Sequence, residues 1–358
     1  KAKADFRPVI DASVDFMIIS ALWVMKVGHL YDGKLDTRYV VGNRLKRWRP
    51  DPDSAPGSPG PLNEMSPALF QPYFTAYGKW RTQGLKVMRR ELREGRRIVA
   101  ITMDLQRFYH QIDANFLLHD DYLEEMGVEL DEGEREFTRK LIVSFSTWNQ
   151  AASEELGYQP QGLPVGLTAS SVIANVLLRE FDQTVVARLD PSYYSRYVDD
   201  VFLVVPHSEP FPHGRAVLEW LAERMGPIVT ATFPDDGTDG SALEVHLPYA
   251  DDSELLFVGK KQKIFQLEGQ HGIDLIGPIE EQIRQQTSEH RDLPSLPDSE
   301  KKMAHRALLV TPDATLNADA LRKADAVTLR RSGFAMLLGD VEAHARDLAP
   351  DSWPRLRR

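Results

Sequence analysis

Two strand-like runs, YYSRYV (193–198) and VFLVV (201–205), are separated only by Asp199 and Asp200. β-branched and aromatic residues broken by so short an acidic interval leave one economical solution, a tight β-hairpin with two carboxylates at its tip. A third apolar run, IVAITM (98–103), is too short for a buried helix and stops directly on Asp104. A sheet that collects these runs carries its acids at strand ends. By itself the Asp-Asp pair is equally well explained as a polar turn, and Asp104 as a helix N-cap after a strand.

The rest of the 358 residues reads as mixed structure. Residues 49–67, rich in Pro, Gly and Ser, form a loop. Ser66-Pro67 resembles a helix start, and Leu69, Phe70, Tyr73, Phe74, Tyr77 and Trp80 recur at helical spacing, so a helix is expected from about 67 to 94, ended by Gly95. Further helices are expected near 114–126, 134–150, 168–189 and 214–225, with strands near 228–233 and 254–265. From about 274 the chain reads as helical and strand-poor. This order predicts an α+β domain with a helical extension.

Composition narrows the chemistry. No cysteine is present, which excludes disulfides, Cys-ligated zinc, iron–sulfur clusters and thiol nucleophiles, and fits a reducing, cytoplasmic setting. The formal charge of −10 argues against a non-specific nucleic-acid coat, yet residues 79–97 carry eight Lys or Arg against two Glu. A basic patch on an acidic body is compatible with a nucleic-acid channel or with a solvated helix face. The chain begins with Lys rather than Met, as after trimming. The apolar stretch 16–25 is read as a buried helix or strand, because ten residues do not span a bilayer and Asp11 and Asp15 precede it where a secretion signal carries positive charge; no membrane association is expected.

Three features acquire meaning together: Asp104 at a strand end, the loop QPQGLPVGL (159–167) opening a helix, and Tyr197-Val198-Asp199-Asp200 in a hairpin. Aspartates from neighbouring strands at one sheet edge make a site for hard cations, and two magnesium ions roughly 4 Å apart can stabilise both oxygens of a phosphoryl transfer. Because adjacent strand residues point to opposite faces, Asp104 and Asp199 are ranked above Asp200.

With these motifs in this order the chain resembles the reverse transcriptases, best over residues 98–265. The family has an Asp closing the first palm strand with aromatics four and five positions on, here Asp104, Phe108 and Tyr109. It has a Pro-Gln-Gly loop, here Pro160, Gln161 and Gly162, then Tyr-x-Asp-Asp at Tyr197 to Asp200, and a Lys-bearing strand where Lys260, Lys261 and Lys263 stand.

The resemblance implies a right-hand polymerase. Its parts are fingers and N-terminal region (1–97), a ferredoxin-like palm (98–265, with a helical fingers insertion about 114–158) and a helical thumb or C-terminal region (266–358). It implies two Mg²⁺ ions, with Mn²⁺ as a substitute, held by Asp104, Asp199, Asp200 and the backbone of Leu105. Tyr109 would lie under the incoming sugar and exclude a 2′-hydroxyl. Phe108, Gln161, Gly162 and Lys260 would line the nucleotide site, and Arg44, Lys79 and Arg81 would grip the triphosphate. Partners are template, primer and dNTPs.

The middle motif runs Gln161-Gly162-Leu-Pro-Val-Gly-Leu-Thr-Ala-Ser170, without the Ser-Pro usual in group II intron and retron enzymes. With Tyr39-Val-Val-Gly-Asn-Arg-Leu45 it looks more like the bacterial defence-associated, abortive-infection reverse transcriptases, which act against phage and work with a noncoding RNA or a partner polymerase. No ribonuclease H, integrase or HNH signature is present. The alternatives are an RNA-dependent RNA polymerase and a non-catalytic RNA-binding scaffold with a relict palm.

Overall fold

The computed structural model describes residues 9–53, 59–156, 162–233, 241–259 and 262–286. The chain divides into two compact units, residues 1–64 with 69–277, and residues 65–68 with 278–358. Of the second unit only Met65–Ala68 and the end of a helix are described. The other described residues belong to the first.

Helix α1 (Val14–Trp23) continues through a π-helical turn, Val24–Gly28, into the short α2 (His29–Asp32). This run is 19 residues long, and by length and composition alone it is apolar enough to cross a membrane, which corrects the ten-residue expectation. Its first half leaves Met17, Ile18 and Leu22 exposed, whereas Trp23, Val24, Val27 and Tyr31 are fully buried. Ser20 reaches across to accept a hydrogen bond from the Ala169 amide, and so caps a helix 149 residues away.

Helix α3 (Tyr73–Arg93) starts later than the Ser66-Pro67 signal suggested. Pro72 holds φ −60°, ψ 122°, and the residue before a proline is driven from helical geometry, so no helix can run through this point. Strand β1 (Ile98–Asp104) follows, then the one-turn α4 (Phe108–Gln111). The region expected as one helix over 114–126 is a 3₁₀ segment, Ala114–Leu118, and α5 (Asp120–Met126), parted by His119 in extended geometry. Helix α6 (Glu132–Leu156) precedes α7 (Thr168–Leu177) and α8 (Arg179–Leu189), which break at Leu178 (ψ 13°).

The hairpin is β2 (Tyr193–Tyr197) and β3 (Asp200–Pro206). Helix α9 (Gly214–Met225), β4 (Val229–Thr232), β5 (Ala242–Val245), β6 (Leu255–Val258), β7 (Lys263–Leu267) and α10 (Gly269–Gln286) complete the order. The single strand expected over 254–265 is thus two.

Four strands form an antiparallel sheet in the order β2-β3-β1-β7, and β4-β5-β6 form a second sheet. A ferredoxin-like sheet would set the strand after α9 beside β1, but β7 takes that edge. Strand β4 alternates buried Val229 with exposed Thr230 and Thr232, which suits a sheet with one wet face rather than a place beside the buried β1.

The main sheet is covered on both faces, as the unbroken apolar run of β1 requires. Phe202, opposite Thr102, packs edge-on against Trp80 of α3, whose indole donates to the Ser195 carbonyl. On the other face Met103, Val201 and Leu203 share a small apolar cavity with Phe181 and Val185 of α8 and Leu221 and Met225 of α9. Side chains alternate strictly between these two layers, and this alternation decides where the acids point.

Candidate active site

In the β1–β3 ladder Asp104 is the register partner of Asp200. Directly opposed residues lie about 4.5–5.5 Å apart at Cα with side chains on the same face. Two carboxylates distant in sequence therefore meet at one strand end, on the layer of Thr102 and Phe202. Tyr197, the partner of Asp200 in the β2–β3 ladder, shares that face and meets Tyr77 of α3 edge-on at 5.4 Å.

Asp199 occupies the second position of the two-residue loop between Tyr197 and Asp200. The first position is Val198, at φ 57°. Positive φ at the first loop residue and not the second is the pattern of a type II′ turn, which normally calls for glycine there. A buried β-branched residue in this region is a genuine outlier and costs about 1–3 kcal/mol. The register partner of Asp104 is Asp200, and Asp199 stands one residue earlier, in the strained turn.

What holds this turn lies beneath it. Arg196 is fully buried, and its Nη1 donates to the Val198 carbonyl (2.7 Å) and to Asn175 Oδ1 (2.9 Å). Its Nε and Nη2 donate to the two Asp182 oxygens at 2.8 and 2.7 Å, and Nη2 also to the Asn175 carbonyl. Burial works against the Arg196 charge, but Asp182 outweighs it and holds the pKa above the ordinary arginine value. Asn175 donates in turn to the Gly42 carbonyl (2.6 Å). Residues 39–42 lie along β2, with Arg196 N–H donating to Tyr39 O and Val41 N–H to Arg196 O. Gly42 is pressed onto the hairpin: a Cβ there would stand 2.7 Å from Val198 N. Sequence reasoning missed Arg196, Asn175 and Asp182. The available signal was an arginine within the apolar run of β2.

The aromatics divide. Phe108 is buried, which removes it from the nucleotide-facing set, because its ring is committed to the core. Tyr109 is half-buried, in T-shaped contact with Phe108 at 6.1 Å, and Asn43 Nδ2 stands 3.5 Å from its hydroxyl. Arg107 (φ 50°) and Asn43 (φ 46°) are left-handed, so three of the four non-glycine residues of positive φ among the described residues surround this region. Leu105 is buried and bridges to Phe257, tying the end of β1 to the second sheet.

Gly162 sits on this same segment. Its neighbour Leu163 donates to the Tyr109 carbonyl (2.7 Å), and a Cβ on Gly162 would collide with that oxygen and stand 2.5 Å from the His110 carbonyl carbon, at φ 75°. Gly162→Ala is accordingly expected to displace Tyr109. It should cost about 1–3 kcal/mol in thermal unfolding.

Arg44 is not available to a triphosphate. It is buried, and its guanidinium donates to Asp32 Oδ1 (2.9 Å) and to the carbonyls of Val40, Asp32 and Leu35. Arg47 takes the other Asp32 oxygen, so this is a buried structural ion pair. Arg81 is half-buried on α3, one turn beyond Tyr77, and Lys79 is exposed. Lys263 pairs with Thr102, two positions short of Asp104 and on the same face. Pro160, Gln161, Lys260 and Lys261 lie outside the described residues.

A family model described as "Reverse transcriptase (RNA-dependent DNA polymerase)" matches residues 38–231, more than half of the chain. The chain belongs to the reverse transcriptase family. No curated protein matches it. Family membership implies a palm-type polymerase fold, with which the observed mixture of helix and sheet agrees, and a template, a primer and dNTPs as its ligands. The match opens at residue 38, one position before the segment that lies along β2, and so takes in every contact described around the hairpin of this reverse transcriptase.

Proposed function

We propose that this reverse transcriptase extends a 3′-hydroxyl with deoxynucleotides on an RNA template, and that Asp104, Asp199 and Asp200 are its metal-holding acids. The single observation that carries the reading is the register pairing of Asp104 with Asp200 beside a turn that presents Asp199.

The donor set fits a hard divalent cation. All three side chains offer carboxylate oxygen, and Asp104 and Asp200 share one face. Among the described residues no three His, Cys, Asp or Glu side chains form a ready cage. Magnesium does not need one, because it keeps several waters and is held by one or two carboxylates together with substrate phosphates. Bound there, magnesium supplies charge stabilisation to phosphoryl transfer.

The chain's own groups do the rest. Asp104 and Asp200 hold the cation side of the site, and Asp199 closes it from the turn. Tyr109 packs against the sugar and excludes a 2′-hydroxyl, Gly162 keeps that tyrosine in place, and the Leu105 backbone lines the metal side. Arg81 and the lysines around 260–263 meet the triphosphate. Residues 1–97 serve as fingers, 98–265 as palm and 266–358 as a helical thumb. The Tyr39–Leu45 segment and the departure from Ser-Pro in the middle motif favour a bacterial antiviral role in the cytoplasm, with a noncoding RNA or a partner protein.

Primer extension by the full chain decides the activity. With an RNA template, a DNA primer and Mg²⁺, dNTPs are expected to be incorporated and NTPs largely refused. Extension with NTPs in preference would assign an RNA polymerase, and no metal-dependent incorporation on any template would assign a scaffold.

A further inference from the structure

Arg196 is the most buried cation among the described residues, and it does not face the acids. In the β2–β3 ladder it opposes Val201, which points to the α8–α9 layer, whereas Tyr197 and Asp200 point to the α3 layer. A buried guanidinium is costly, and an apolar side chain of similar volume would serve packing as well or better. Its connections indicate a different use. Asp182 takes two of its nitrogens and Asn175 fixes a third. Of its two other hydrogen bonds, one goes to the Asn175 carbonyl and one to the carbonyl of Val198, the residue that bears the unfavourable φ. The peptide that follows this carbonyl leads directly into Asp199.

We infer that Arg196 is a positioning residue of the polymerase site: anchored by Asp182 and Asn175, it holds the Val198 carbonyl, keeps the turn in its strained form and so aims the Asp199 carboxylate. The inference rests on the proposed metal-holding role of the hairpin acids and adds to it the element that orients them. Strained backbone persists only where its surroundings over-determine it, and here the determinants are Arg196 below the turn and the Gly42 backbone beside it. Asn175 joins the two by bonding both Arg196 and the Gly42 carbonyl.

The test uses the full chain. Arg196→Lys keeps a positive charge for Asp182 but lacks the second arm that reaches Val198. Groups that orient metal ligands alter metal affinity or activity by about 10–100-fold when removed, so the half-saturating Mg²⁺ concentration in primer extension is expected to rise about tenfold or more. Amide exchange should accelerate in a peptide spanning 193–205 and stay unchanged in one spanning 98–104. Because glycine adopts the turn without strain, Val198→Gly is expected to bring the Mg²⁺ requirement of Arg196→Lys back toward the wild-type value.

A purely structural Arg196 would lower thermal stability, leave the Mg²⁺ requirement unchanged and show no coupling to Val198, and that result overturns the inference. Should Arg196→Lys fail to fold, Asn175→Ala takes its place with the same expected rise, and an unchanged Mg²⁺ requirement there is equally fatal. Failure of the underlying reading looks different: Asp199→Asn would then retain activity in the otherwise wild-type chain.

Discussion

Asp199→Asn is expected to abolish DNA synthesis while the protein stays folded. On the proposed reading this carboxylate helps hold a divalent cation that supplies several kcal/mol of charge stabilisation, and each 1.36 kcal/mol is tenfold in rate, so loss of roughly a thousandfold or more is anticipated. Asp104→Asn should behave alike in the assay and differently on heating. Its register partner is Asp200, and like charges directly opposed across a ladder are destabilising by about 0.2–1 kcal/mol, so in metal-free buffer this variant should melt no lower than wild type. Primer extension and thermal unfolding on the same preparations read both effects. Near-full activity of Asp199→Asn removes the site assignment, and unfolding of Asp104→Asn would recast that residue as structural.

Tyr109→Ala is expected to relax sugar selection. Accommodating an extra group in a filled space costs about 1–3 kcal/mol, which corresponds to about tenfold to a hundredfold in discrimination. The ratio of kcat/KM for a dNTP to that for the matching NTP should fall by this factor, mostly through better use of the NTP. Asn43, whose amide lies 3.5 Å from the Tyr109 hydroxyl, provides a graded control: Tyr109→Phe removes the hydroxyl but leaves the ring and should retain most of the selection. An unchanged ratio for Tyr109→Ala would place the ring in the core rather than under the sugar.

Much of this arrangement was legible in the chain itself, for identifiable reasons. Period-two runs bounded by acids announce strands and a tight turn: β1 ends at Asp104 as that pattern puts it, while the hairpin loop falls at Val198-Asp199, one residue before the Asp199-Asp200 tip the runs suggested. Helix ends were legible where backbone chemistry is decisive and misread where one signal hid another. Ser66-Pro67 resembles a start, yet Pro72 forbids helix through its own position. The pairing of Asp104 with Asp200 was not legible, because a two-residue loop resets the alternation that a strand would continue, and only the register shows how. Arg44 misled because an arginine between Asn43 and Leu45 says nothing of its partner; Asp32, twelve residues earlier, settles the matter by burial and charge. The division of Phe108 from Tyr109 was equally invisible, since one turn of helix sends neighbouring rings in different directions.

The edge of the main sheet at β2 is closed by a strip of chain made far earlier: Ser195 bonds the Tyr39 carbonyl across 156 residues, and Arg196 pairs with its neighbours. Closing so large a loop delays the contact that depends on it. The hairpin and the strip laid along it cohere only once residues 156 apart in the chain have met, so that edge of the sheet belongs to the slow, non-local part of folding and not to its local helices.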